Sequence, residues 1–84
     1  MSDENMPFPE KVLLIMHNLS AMRPEFAKTA GELAQALQRA VDIVLAALGK
    51  HEAEGYVKSY ADQSGNKRFY LTEVGIIKVS ALFT

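Results

Sequence analysis

Apolar residues recur at helical spacing from Glu10 onward, with Val12, Ile15, Met16, Leu19 and Met22 on one stripe. Leu13 and Leu14 lie off that stripe, so the segment is greasier than a single core-facing side requires. Pro9 suits the first helical position, where its missing N–H costs nothing. Arg23-Pro24 predicts the end of the helix, because a residue before proline avoids helical backbone. Thr29-Ala-Gly-Glu32 has capping-box spacing and opens a second helical stretch. Within it Leu33, Leu37, Val41, Val44, Leu48 and His51 keep a three- or four-residue spacing, and no Pro intervenes before Glu54. That pattern fits one continuous helix over residues 30–54 as well as two shorter ones. Gly55 reads as a C-terminal helix stop. Beyond it the pattern changes: residues 56–61 and 68–72 are rich in aromatic and β-branched residues, separated by the turn residues 62–67. They predict a β-hairpin, with Val57, Phe69 and Leu71 toward the core and Tyr70 on the other face beside Lys58 or Tyr60. Glu73 to Phe83 predicts a last helix, apolar at Val74, Ile77 and Leu82.

The chain has 84 residues, which allows one domain with a small core. Residues 1–8, polar and interrupted by Pro7, read as a flexible N-terminal arm ahead of a domain over 9–84; Met6 and Phe8 could pack back onto it. Absence of cysteine removes disulfide scaffolds, thiolate metal sites and thiol chemistry. Nine basic residues oppose ten acidic ones, so no global positive field draws the chain to nucleic acid or anionic lipid. Its acidic start, MSDENMPFPE, lacks the features of a signal peptide, and no uncharged stretch approaches the ~18–20 residues of a membrane span. A soluble, cytoplasmic protein without membrane contact is expected.

Three pieces of local wording, in order, carry a family resemblance: Glu32-Leu-Ala-Gln-Ala-Leu37, then Gly55-Tyr-Val57 eighteen residues later, then Tyr70-Leu-Thr-Glu-Val-Gly75. Over roughly residues 10–80 the chain resembles the winged helix-turn-helix domain of MarR-like prokaryotic transcriptional regulators. The resemblance implies an α+β, mainly α fold: a three-helix bundle, a two-stranded β-hairpin wing and a C-terminal helix. It splits residues 29–54 at a turn near Gln38-Arg39-Ala40 and makes Val41–Glu54 the recognition helix. The core side of that helix would be Val44, Ala47, Leu48 and His51. Its outward side would be Asp42, Ile43, Leu45, Ala46, Gly49, Lys50 and Ala53. The resemblance further implies binding of double-stranded DNA, regulation of transcription, and a homodimer built by helices outside the wing.

Base readout needs Arg, Lys, Asn, Gln, Ser or Thr aimed at base edges. The outward side offers one Lys, an Asp that would repel phosphate, and an apolar patch around Ile43, Leu45 and Ala46. The family's usual Ser or Thr near the turn is Ala40 here. DNA contact is therefore expected from cations on the phosphate backbone: Lys58, Lys67 and Arg68 on the wing with Asn66 at its tip, and Arg39 and Lys50 at the ends of the recognition element. The alternative is a protein–protein interaction module that uses the apolar side of the same helix. Ile43 and Ala46 of that apolar side, with Leu13, Leu14, Ile76, Leu82 and Phe83, are the candidate dimer or partner interface; Leu13, Leu14, Ile76, Val79, Leu82 and Phe83 exceed what so short a chain readily buries. His17 and His51, on separate helices without cysteine, suggest no metal site; His51 reads as a carbonyl cap or core-edge residue and His17 as a surface one. Glu52 and Glu54 read as a solvated helix end. No phosphate loop or Ser/His/Asp spacing is visible, so neither an enzyme nor a cofactor is expected.

Overall fold

A computed structural model describes residues 6–82. Helix α1 spans Phe8–Asn18, and a 3₁₀ turn follows at Pro24–Phe26. Then come β1 (Lys28–Thr29), α2 (Ala30–Leu37), α3 (Val41–Glu54), β2 (Val57–Ala61), β3 (Lys67–Leu71) and α4 (Glu73–Ala81). The stretch from 29 to 54 is thus two helices with a break at the turn the family resemblance implies.

Three helix ends share one device. At the ends of α1, α2 and α3 the chain enters the left-handed region at Ser20 (φ 61°), Gln38 (φ 54°) and Gly55 (φ 84°). In each case the next N–H reaches back five residues: Ala21 N to Met16 O (2.8 Å), Arg39 N to Ala34 O (3.0 Å) and Tyr56 N to His51 O (2.9 Å). This Schellman arrangement satisfies carbonyls that a helix end leaves orphaned. Only Gly55 adopts it without steric cost; for Ser20 and Gln38 the left-handed backbone costs about 1 kcal/mol. Helix α1 therefore ends five residues before Arg23-Pro24, and the proline instead opens the 3₁₀ turn. The N-cap of α2 is the expected capping box: Thr29 Oγ1 accepts from Glu32 N (3.1 Å) and Glu32 Oε1 from Thr29 N (2.9 Å).

Helix α1 starts at Phe8, so Pro9 occupies its second position, where the N–H is equally unneeded. Its buried residues are Val12, Leu13, Leu14 and Met16, not the narrow stripe expected. The helix touches α2, α3, α4 and β3, and a helix surrounded on several sides must be apolar well beyond one face. Leu13 and Leu14 thus pack inside the chain's own core rather than awaiting a partner. Leu33, Leu48, Phe69 and Leu71 complete that centre; burying each such side chain contributes about 1.5–3 kcal/mol.

The sheet has three antiparallel strands in the order β1-β3-β2. Its short first strand, pairing Lys28 with Phe69 and Thr29 with Arg68, carries no sequence signal because two residues show no period. In the hairpin Val57 pairs with Leu71 and Ala61 with Lys67, and Val57, Phe69 and Leu71 are buried as expected. Gly75 lets α4 close against the sheet: a Cβ there would stand 2.1 Å from the carbonyl oxygen of Tyr56. On α4 the buried residues are Gly75 and Val79, with Ile76 packed on the core edge and Val74 and Ile77 left exposed. No helix among the described residues is long and apolar enough to cross a membrane.

Candidate nucleic-acid interface

Helix α3 stands with Val44, Ala47, Leu48 and His51 inward. Asp42, Ile43, Leu45, Ala46, Gly49, Lys50 and Ala53 face solvent, the division that the family resemblance implies. His51 locks the last turns of α3 to the start of α1. Its Nε2 lies 2.7 Å from the Pro9 carbonyl oxygen, which can only accept, so Nε2 carries the proton. The Nδ1 edge lies 3.6 Å from Glu54 Oε1. This histidine is a structural fastener, and no three metal-ligating side chains cluster among the described residues. Ala40 precedes α3 as N-cap without a side-chain hydrogen bond, and Asp42 supplies negative charge to the first turn.

The wing is held from both sides. Its loop turns on Asp62, whose Oδ1 accepts from Ser64 N (2.9 Å) and Asn66 N (2.9 Å), with Gly65 at φ 83° closing the turn. Arg68 anchors the outer face: Nε donates to Asp62 Oδ2 (2.7 Å), and Nη1 reaches the Ala27 carbonyl (3.2 Å) and Glu32 Oε1 (3.4 Å). The Arg68 hydrogen bond, with help from the Asn66 and Ser64 amides, holds the Asp62 carboxyl below its ordinary value; the same partner raises Arg68. Glu32 is lowered by the Thr29 amide first and by Arg68 to a lesser degree. Tyr60 adds a hydrogen bond to the Pro24 carbonyl (2.7 Å).

On the inner face Glu52 of α3 accepts from Ser59 Oγ (2.6 Å) and lies 3.4 Å from Lys67 Nζ. Glu52 is thus a fastener between α3 and the wing, not a solvated helix end. Neither Glu52 nor Asp62 is conspicuous in the sequence, since their partners lie on other elements or across the loop. The turn wording Asp62-Gln-Ser-Gly65 was the one available signal.

The expected phosphate ligands therefore stand differently. Arg68 is committed to three internal acceptors and is a wing-positioning residue. Lys58 and Lys67 point to opposite faces of the hairpin: Lys58 pairs with Tyr70 on the outer face, whereas Lys67 shares the inner face with Phe69, its Nζ 5.4 Å from that ring. Lys58 borders a shallow groove with Met22, Tyr70 and Glu73. Lys67, its side chain 58% exposed, lies on the side of the hairpin that meets α3, and Asn66 is exposed at the tip. Arg39 is exposed before α3 and sits 5.7 Å over the Phe8 ring; Lys50 is exposed on α3 itself. Of the expected interface residues, Ile43 and Ala46 are exposed, Ile76 and Leu82 are half-buried, and Phe83 lies outside the described residues.

No family model matches this chain, and no curated protein does. Solved structures do match. MepR, a transcription regulator of the Staphylococcus aureus multidrug efflux pump MepA, matches with a TM-score of 0.74 at 26% identity over 87% of this chain and 51% of MepR. The MepR–DNA complex gives a TM-score of 0.73 at 27% identity, over 89% of this chain and 59% of that one. A protein of Ralstonia eutropha JMP134, provisionally assigned as DNA-binding, gives 0.76 at 18% identity over 90% of this chain and 94% of its own; that likeness concerns the fold alone. This chain is a winged helix. Its likeness is to MarR-like transcription regulators, not to enzymes, and it spans about half the length of MepR.

Proposed function

We propose that this chain is a winged-helix transcription regulator that binds duplex DNA as a dimer through the basic inner edge of its wing. The observation that carries the reading is the placement of Lys67 beside α3, its side chain 58% exposed although its Nζ lies 3.4 Å from Glu52, in a fold shared with MepR, which has been crystallised on DNA. Arg39, at the entry to α3, supplies a second backbone contact; Lys58, on the other hairpin face, is outside the contact. Such binding neutralises phosphates without reading bases.

The test is fluorescence anisotropy with a labelled random-sequence duplex. A dimer presenting Lys67 and Arg39 from each copy neutralises about four phosphates, so affinity should fall about 10²-fold between about 50 and 200 mM salt. The Lys67→Ala/Arg39→Ala variant should bind weakly and nearly without salt dependence. Absence of binding at the lower salt by the folded protein refutes the proposal.

A second reading, α3 as a protein-contact surface, is favoured by one observation: Val41, Ile43 and Leu45 are all nearly half exposed on a helix that offers a single cation.

A further inference from the structure

Glu52 stands between α3 and the wing. Its Oε2 accepts from Ser59 Oγ at 2.6 Å, which fixes the carboxylate in one orientation, and its Oε1 lies 3.4 Å from Lys67 Nζ. Fastening Ser59 needs an acceptor and nothing more; the amide oxygen of a glutamine would supply one. Stability does not account for the negative charge. Glu52 lies in the last turn of α3, where the helix dipole disfavours an anion. Its ion pair with Lys67 joins side chains 31% and 58% exposed, and pairs open to solvent contribute little. The charge does act on one further thing, which is any anion that comes to Lys67.

We propose that Glu52 attenuates the wing's grip on DNA, limiting the affinity of Lys67 for phosphate backbone as such. The inference rests on the reading of Lys67 as a phosphate ligand and adds the residue that tunes it. Lys67 Nζ carries three donors, of which Glu52 engages one, so two remain for phosphate oxygens. A phosphate oxygen bonded at about 2.8 Å on the side away from Glu52 stands about 6 Å from the carboxylate. The contact therefore survives, but with a like charge beside it that the Ser59 hydrogen bond keeps from swinging away. Repulsion between unit charges about 6 Å apart lowers affinity about threefold even at the dielectric constant of water, and about tenfold in a dimer that makes the contact twice. Backbone contact carries no sequence information, so Glu52 weakens binding to duplex of any sequence and raises the share that other contacts must supply.

Anisotropy with a labelled random-sequence duplex compares the parent, Glu52→Gln, Lys67→Ala and the double variant. Glu52→Gln should bind about tenfold tighter than the parent at about 50 mM salt, and only about threefold tighter at about 200 mM, where the Debye length has shrunk to about 7 Å. Its thermal melt should stay at or above the parent's, because the acceptor for Ser59 is kept and the anion at the helix end is gone. In the Lys67→Ala background the same substitution should gain about twofold or less, since no phosphate is drawn to that place. A parent that binds and a Glu52→Gln that binds no tighter overturn the inference alone; Glu52 then only fastens the wing. A gain of equal size with and without Lys67 also overturns it, because it reports net charge and not the contact. If neither the parent nor Glu52→Gln binds at the lower salt, the DNA reading and the inference fall together.

Discussion

Replacing Gly75 with alanine sets a methyl group 2.1 Å from the Tyr56 carbonyl oxygen, 3.0 Å from its carbon and 3.2 Å from Leu71 Cδ2. Non-bonded heavy atoms rest at about 3.5 Å, so α4 must withdraw by about 1 Å or more. That motion works against the hinge of the motif. Thr72 N donates to Tyr56 O (3.0 Å), Thr72 Oγ1 donates to Gly55 O (2.6 Å), and Gly75 N donates back to Thr72 Oγ1 (3.0 Å). Overpacking costs about 1–3 kcal/mol, and loss of a helix cap about 1 kcal/mol. Together they give about 3 kcal/mol, a large share of the 5–15 kcal/mol typical of a domain. The melting temperature should fall by about 12–24 °C. Gly49→Ala is the internal control, since its Cβ meets open space in mid-helix. It should stabilise by about 1 kcal/mol and raise the melting temperature by about 4–8 °C. Urea denaturation and thermal melts followed by helical circular dichroism, at concentrations where the chain is monomeric, measure both. A Gly75→Ala change within about 0.5 kcal/mol of the parent, or a destabilising Gly49→Ala, would refute the packing account.

Two further outcomes can be checked on the same apparatus. Ala40→Ser supplies the missing cap of α3 and should stabilise by about 1 kcal/mol, whereas no gain in the urea midpoint would mean that the α3 N–H groups are already satisfied. Asp62 and Glu32 both have carboxyls held below their ordinary values, by Arg68 and by the Thr29 amide respectively. Their contribution is present above the ordinary carboxylate range and is lost as pH falls through the lowered folded values, so melting temperature should decline from about pH 5 downward. Asp62→Asn should flatten part of that decline, and an unchanged acid limb would remove Asp62 from the wing's support.

Much of the local structure was legible because its causes are local. The Thr29/Glu32 capping box, the αL stop at Gly55 and the alternation of Val57, Phe69 and Leu71 each depend on neighbours in the chain. The family wording carried more, since periodicity from Leu33 to His51 fitted one helix as well as two. Gln38 breaks the helix at a residue with no breaker character; the Arg39 N to Ala34 O bond closes that turn. The candidate site was less legible. Lys58, Lys67 and Arg68 look equivalent in sequence, yet strand alternation and the three acceptors around Arg68 give them different surroundings.

The sequence by itself determined the kinds of element and the near-neutral net charge. These follow from spacing and residue chemistry, which act over a turn of helix or across a hairpin. Tertiary structure alone decided that Arg68 is a clamp, that Glu52 ties α3 to the wing, that Leu13 and Leu14 are core, and that Gly75 is obligatory while Gly49 is not. Each of those outcomes depends on a contact between residues distant along the chain, and such contacts exist only once the helices and the sheet have packed.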